Sequence, residues 1–180
     1  MSGLDMAFGG ALSGGEIREL VGGDPPLISG FADLDSQLQP NGFDLTLAEI
    51  HAFADSGTVA VDNANRVLPQ LTRVEPDRSG YFELAPGPYH ITYGETVALP
   101  VDLMAFGRPR SSLTRSGVAI HTAVWDAGYS GRSTSLLVVS NPTGFKVESG
   151  SRVAQLVFVR LSRKAESGYS GIYQGENTRT

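Results

Sequence analysis

YFELAPGPYHITYGETVALPVDLMAF, Tyr81 to Phe106, contains three short apolar or alternating runs and almost nothing of helical period. Tyr81–Leu84, Tyr89–Tyr93 and Val101–Phe106 read as strands, and Pro86-Gly87 and Tyr93-Gly94 supply the turns between them. The same pattern extends in both directions. Phe43–Leu47 lies before it, and Val118–Val124, Leu136–Val139 and Arg152–Leu161 follow, with Asn141-Pro142 and Ser149-Gly150 as further turns. Many short strands with no helices between them predict an all-β fold: a sandwich, a jelly roll or a distorted barrel.

One short N-terminal helix interrupts this reading. Ser13-Gly-Gly-Glu16 has capping-box spacing, Ile17, Leu20 and Val21 form an apolar stripe, and Gly22-Gly23 ends it. The last stretch, ESGYSGIYQGENTRT, is Gly-rich, polar and aperiodic. The expected organisation is therefore one β domain over 1–165 and a flexible tail over 166–180.

Composition narrows the function classes. The 180 residues are 41% apolar and 18% charged, which fits one globular domain with a real core. A formal charge of −5 argues against a nucleic-acid binder, since phosphate backbones demand a basic surface, but leaves room for a small anion in a basic pocket. There are no cysteines, so disulfides, thiol nucleophiles and Cys-rich zinc sites are excluded. MSGLDMAFGG lacks the shape of a secretory leader, and no apolar run approaches the roughly 18 residues of a membrane span. The expected setting is cytoplasmic, with no membrane partner.

The chemistry concentrates in PRSSLTRSGVAIHTAVWDAGYSG, Pro109 to Gly131. Arg110 and Arg115 bracket Ser111 and Ser112; on an extended or turning backbone, such hydroxyls and guanidinium groups bind phosphate oxygens. The same residues also suit a polar turn that satisfies its own backbone. Asp126, just past an apolar strand, is either a turn cap or a general base that takes a proton from water. Tyr129 is either core or a platform for a sugar or base. In the strand Arg152–Leu161, two-residue alternation puts Gln155 on one face with Val153, Val157 and Val159, where a buried amide needs a partner. His51, His90 and His121 show no metal-ligand spacing, so no protein-bound metal is expected.

In content and order, these pieces resemble the trimeric dUTPases and their dCTP deaminase relatives, most closely dUTP diphosphatases of the deaminase-like, archaeal-type branch. QPNGFDLTL (Gln39–Leu47) is similar to the early Asp-Leu-x-Leu motif. PRSSLTRSG resembles the phosphate motif, AVWDAGYSG the motif of the catalytic aspartate, and SGSRVAQLVF the Gly-x-Arg-x-Ala-Gln motif. GYSGIYQGE resembles the deaminase-type closing segment. The resemblance implies a dUTPase-like β-clip, a jelly-roll-like distorted barrel, assembled as a homotrimer with shared sites. It implies that Arg110, Ser111, Ser112, Arg115 and Gln155 hold a triphosphate carrying Mg²⁺ and that Asp126 activates water. Tyr129 would pack on the deoxyribose, the strand near His121 and Thr122 would face the pyrimidine, and Tyr173 and Gln174 would close from the tail.

One departure separates hydrolase from deaminase. Deaminases of this family carry a glutamate in the strand after the aspartate motif, in a pattern such as Thr-Leu-Glu-Leu. This chain reads RSTSLLVVSN there, with no carboxylate between Asp126 and Glu148. Leu137 and Val138 cannot move protons at a cytosine C4. The resemblance therefore implies hydrolysis of dUTP to dUMP and pyrophosphate. A dCTP deaminase, mono- or bifunctional, and a low-turnover nucleotide-binding regulator are the alternatives. The segment His51–Asp77 matches no chemistry.

Overall fold

The structure is a computed structural model that describes residues 9–178; most of the leader reading and the last two tail residues lie outside the described residues. Its spine is a long strand, Gly42–Phe53, the third of fourteen among the described residues (β3). Before it come α1 (Gly14–Val21), β1 (Ile28–Ser29), α2 (Leu34–Gln37) and β2 (Leu38–Gln39). After it come β4 (Leu71–Val74), β5 (Tyr81–Leu84), β6 (Gly87–Tyr93), β7 (Thr96–Ala98) and β8 (Leu103–Pro109). Then follow α3 (Ser111–Arg115), β9 (Val118–His121), β10 (Val124–Trp125), β11 (Ser130–Gly131), β12 (Thr134–Val139), β13 (Phe145–Glu148) and β14 (Arg152–Arg160).

The main sheet runs β10-β8-β14-β3-β6-β12-β9, every pair antiparallel, with β2 and β4 also pairing to β3. A small sheet, β1-β7-β11, and the pair β13-β5 complete the fold. This is the predicted all-β class. The β3 side chains Phe43, Leu45, Leu47 and Ile50 are fully buried with Ile91, Leu103, Leu156 and Phe158. Each such burial contributes about 1.5–3 kcal/mol, so the sheet's inner face dominates stability.

Helix α1 forms as its sequence predicts. The Ser13 side chain accepts from the Glu16 N–H while the Glu16 carboxylate accepts from the Ser13 N–H at 2.9 Å, and Ile17 and Val21 are buried. Two further short helices, α2 and α3, were not legible in the pattern. Buried polar groups pin the sheet's centre. Glu95, wholly buried, accepts from Gln37 Nε2 at 2.7 Å, Thr46 N at 2.9 Å and Thr46 Oγ1 at 2.8 Å, which offsets the cost of desolvating its carboxylate.

Gln155 does not share a face with Val153. The β14–β3 register shifts between Arg152 and Ala154, so Val153 and Ala154 are both buried and the alternation restarts with Leu156 and Phe158 inward. That bulge turns Gln155 to the half-exposed face, level with Asp44 and Arg108.

Candidate active site

Most of the polar residues singled out by sequence fall into two clusters. The first lies where β8 runs into α3. Here RSSLTR is a short helix rather than an extended turn: Arg110 is its extended N-cap, Leu113 its buried anchor, and Ser111, Ser112 and Arg115 point outward, all exposed. The Arg110 N–H donates to Val153 O at 3.0 Å, fastening the helix start to β14. A cleft of about 360 Å³ opens here, lined by Arg110, Ser112, Lys146, Ser151 and Arg152.

Behind the arginines sits Asp44, whose side chain is only 2% exposed. Arg110 Nε stands 3.0 Å and Arg152 Nη1 3.5 Å from its Oδ2. These are charge contacts without aligned hydrogen bonds, and Oδ1 has no partner among the described residues. Burial pushes the Asp44 carboxyl above the usual carboxylate range, and the two guanidinium groups pull it back only in part. Arg152 also donates to Ser36 O. Gln155 packs over Gly42, where a Cβ would stand 2.5 Å from its Nε2, so this close approach requires glycine.

The second cluster surrounds a cavity of about 310 Å³ with Val124, Trp125, Tyr129, Tyr169 and Tyr173 in its walls. That volume suits a small ligand such as a nucleoside. Trp125 Nε1 donates to Ser133 Oγ at 2.9 Å, and the Tyr129 ring meets Tyr169 edge-on at 5.9 Å. Asp126 lines the same cavity, is exposed, and makes no ion pair among the described residues. The turn it opens is closed by the Tyr129 N–H donating to Asp126 O at 3.0 Å. Gly128 in that turn has φ +83°, and an added Cβ would meet Gly168 Cα at 2.5 Å. Only glycine fits on both counts.

The C-terminal segment lies against this turn. Gln174 accepts from Ser130 N–H at 3.0 Å and donates to Gly128 O at 3.0 Å, and the Arg132 N–H donates to Glu176 O at 2.9 Å. The Tyr129 hydroxyl donates to Glu176 Oε1 at 2.8 Å. Burial, and after it the Glu176 contact, holds the Tyr129 phenol protonated; burial also raises the Glu176 carboxyl, against the opposing pull of the Tyr129 hydrogen bond. His121 and Thr122 stand outside the cavity walls. His121 is exposed opposite Leu136, and Thr122 Oγ1 donates to Gly107 O at 3.4 Å.

The two clusters do not meet within one chain. Trp125 pairs with Ala105 on β8, and Arg110 lies five residues farther along that strand direction. At about 3.3 Å per residue this separates the Asp126 turn from the arginine cluster by roughly 17 Å.

Residues 11–161 match the profile of the dCTP deaminase-like family. The chain belongs to that family. Among its relatives, a probable deoxyuridine 5'-triphosphate nucleotidohydrolase of Methanosarcina mazei is 46% identical over 167 residues, 93% of this chain and 98% of the relative. The similarly described protein of Archaeoglobus fulgidus is 46% identical over 166 residues, 92% of this chain and 96% of that one. Among solved structures, the 2'-deoxycytidine 5'-triphosphate deaminase of Agrobacterium tumefaciens matches with a TM-score of 0.64 at 29% identity, covering 84% of this chain and 48% of that chain. The resemblance read from motif order is borne out.

Within this dCTP deaminase-like fold, sequence reasoning missed Asp44, Arg152, Tyr169 and Glu176. Asp44 and Arg152 stand inside quoted motifs, so their charge was a usable signal. Tyr169 and Glu176 acquire their place only because the C-terminal segment folds back.

Proposed function

We propose that the protein is a dUTP diphosphatase, converting dUTP and water to dUMP and pyrophosphate. The observation that carries this is Asp126, a free carboxylate on the rim of a nucleoside-sized cavity, while β12 carries Leu136, Leu137 and Val138 and no acid. The relatives at 46% identity bear names of the same activity. Asp126 orients a water and takes its proton as the water oxygen attacks the α-phosphorus; the bond to the β-phosphate breaks and pyrophosphate leaves. Tyr129 walls the deoxyribose, and Tyr173 and Gln174 belong to the segment that closes the cavity.

Arg110, Ser111, Ser112, Arg115 and Gln155 hold the polyphosphate of a neighbouring copy's nucleotide. The separation of roughly 17 Å along β8 supports this, because one chain cannot place both clusters on one α-phosphorus. A homotrimer closes such head-to-tail sharing. Nucleotide pools make the cytoplasm the implied setting; no helix among the described residues is long and apolar enough to cross a membrane.

Among the described residues no group of three or more His, Asp or Glu could hold a metal ion. The donor set fits Mg²⁺ that arrives on the triphosphate and keeps waters in its shell, with Asp126 the exposed oxygen donor at the rim. When bound, the ion neutralises charge on the phosphates.

One observation favours a second reading, dCTP deamination: Glu176 brings to the cavity a carboxyl that β12 lacks. Assaying dUTP, dCTP, dTTP and UTP for pyrophosphate, and dCTP for ammonia, separates the two. Pyrophosphate from dUTP alone is the expected result; ammonia from dCTP without pyrophosphate from dUTP contradicts it.

A further inference from the structure

Between β3 and β4 the chain makes an excursion, residues 54–70. Thr58 and Val67 exchange backbone hydrogen bonds of 2.8 and 3.0 Å, the Ala54 N–H donates to Gln70 O at 2.9 Å, and a 3-10 turn at Asn63–Asn65 forms the tip. The result is a narrow arm that contributes nothing to either polar cluster. It does approach the C-terminal segment, through one contact and across one shared cleft. The Arg66 guanidinium carbon stands 5.9 Å from the Tyr173 ring centroid, within cation–π range. Nearer the sheet, Leu68, Pro69 and Leu71 line a cleft of about 390 Å³ together with Tyr173, Glu176 and Asn177.

Arg66 is half-buried and forms no ion pair among the described residues, so no carboxylate competes with the ring for its charge. On its other side the segment is bound by the Gly128–Arg132 stretch, through Gln174 and Glu176. Residues 173–177 therefore lie between two walls, one belonging to the cavity and one to the arm. The planar guanidinium suits a ring face better than a lysine ammonium, which is compact and strongly hydrated.

We propose that the arm is the outer wall against which the C-terminal segment closes, with Arg66 the positioning residue for Tyr173. This rests on the reading of that segment as the cover of the nucleoside cavity.

The test is hydrogen exchange of residues 172–177 in the nucleotide-free full chain, with dUTP kinetics alongside. Arg66→Ala is expected to speed exchange there about two- to fivefold, the strength of one exposed cation–π contact, with the thermal midpoint unchanged. Tyr173→Leu should do the same, and the double variant should be no faster than either single one, because both remove one contact. Arg66→Lys should recover part of the protection. In kinetics Arg66→Ala should raise KM by a similar factor and leave kcat nearly unaltered. Unchanged exchange in Arg66→Ala, or additive effects in the double variant, would overturn the proposal. If the wild-type protein released no pyrophosphate from dUTP, the proposed activity would fall, while the exchange cycle would still decide the arm's role.

Discussion

Tyr129 and Glu176, 47 positions apart, are joined by a 2.8 Å hydrogen bond that ties the floor of the aromatic-walled cavity to the C-terminal segment. Burial raises the Glu176 carboxyl above its ordinary 4.5, and the Tyr129 bond offsets this only in part. The seated segment therefore favours the neutral carboxyl. Its contribution is fully present below the unfolded value and is lost as pH rises through the raised one. Exchange of residues 172–177, corrected for intrinsic rate, should quicken as pH climbs from 4.5 upward, and Glu176→Gln should flatten that profile. A wild-type profile as flat as the variant's would contradict the assignment.

Asp44 makes a different prediction, because its carboxyl is buried and disfavoured as an anion yet holds two arginines. Asp44→Asn keeps the shape and removes the desolvation cost. The thermal midpoint at neutral pH should stay level or rise by a few degrees, since about 1 kcal/mol is worth roughly 2–4 °C in a chain of this size. The KM for dUTP should rise, because Arg110 and Arg152 lose the charge that orients them. A fall in stability with normal KM would make Asp44 a structural ion-pair partner only.

Shared sites can be tested by mixing. Arg110→Ala and Asp126→Asn chains should each be nearly inactive alone. Co-assembled in equal amounts, random trimers should recover about a quarter of wild-type sites, since one interface in four pairs the intact Asp126 with the intact Arg110. A mixture as inactive as its parents would show that the two clusters do not complete each other across subunits.

Much of this architecture was readable in the residues. The short apolar runs in Tyr89–Tyr93 and Leu136–Val139, set off by turn residues, mark β6 and β12, and Ser13-to-Glu16 capping fixes α1. β3 runs on to Phe53, well past Leu47, because Glu49 and His51 are carried by pairing with β6 rather than by their own propensity. The two- and three-residue strands β1, β7 and β11 exist only through mutual pairing, which no local pattern encodes. Asp126, Tyr129 and Tyr173 line one cavity. Gln155 changed face because a bulge at Arg152 is a tertiary event, and Glu176 enters only through chain reversal.

In the proposed mechanism Asp126 primes the attacking water. Pyrophosphate release at saturating dUTP, measured together with nucleotide affinity for wild type and Asp126→Asn, tests it most directly. Asp126→Asn should lower kcat about 10²–10⁴-fold, the share of rate a positioned general base contributes, with dUTP affinity largely retained. A variant that turns over near the wild-type rate would contradict it.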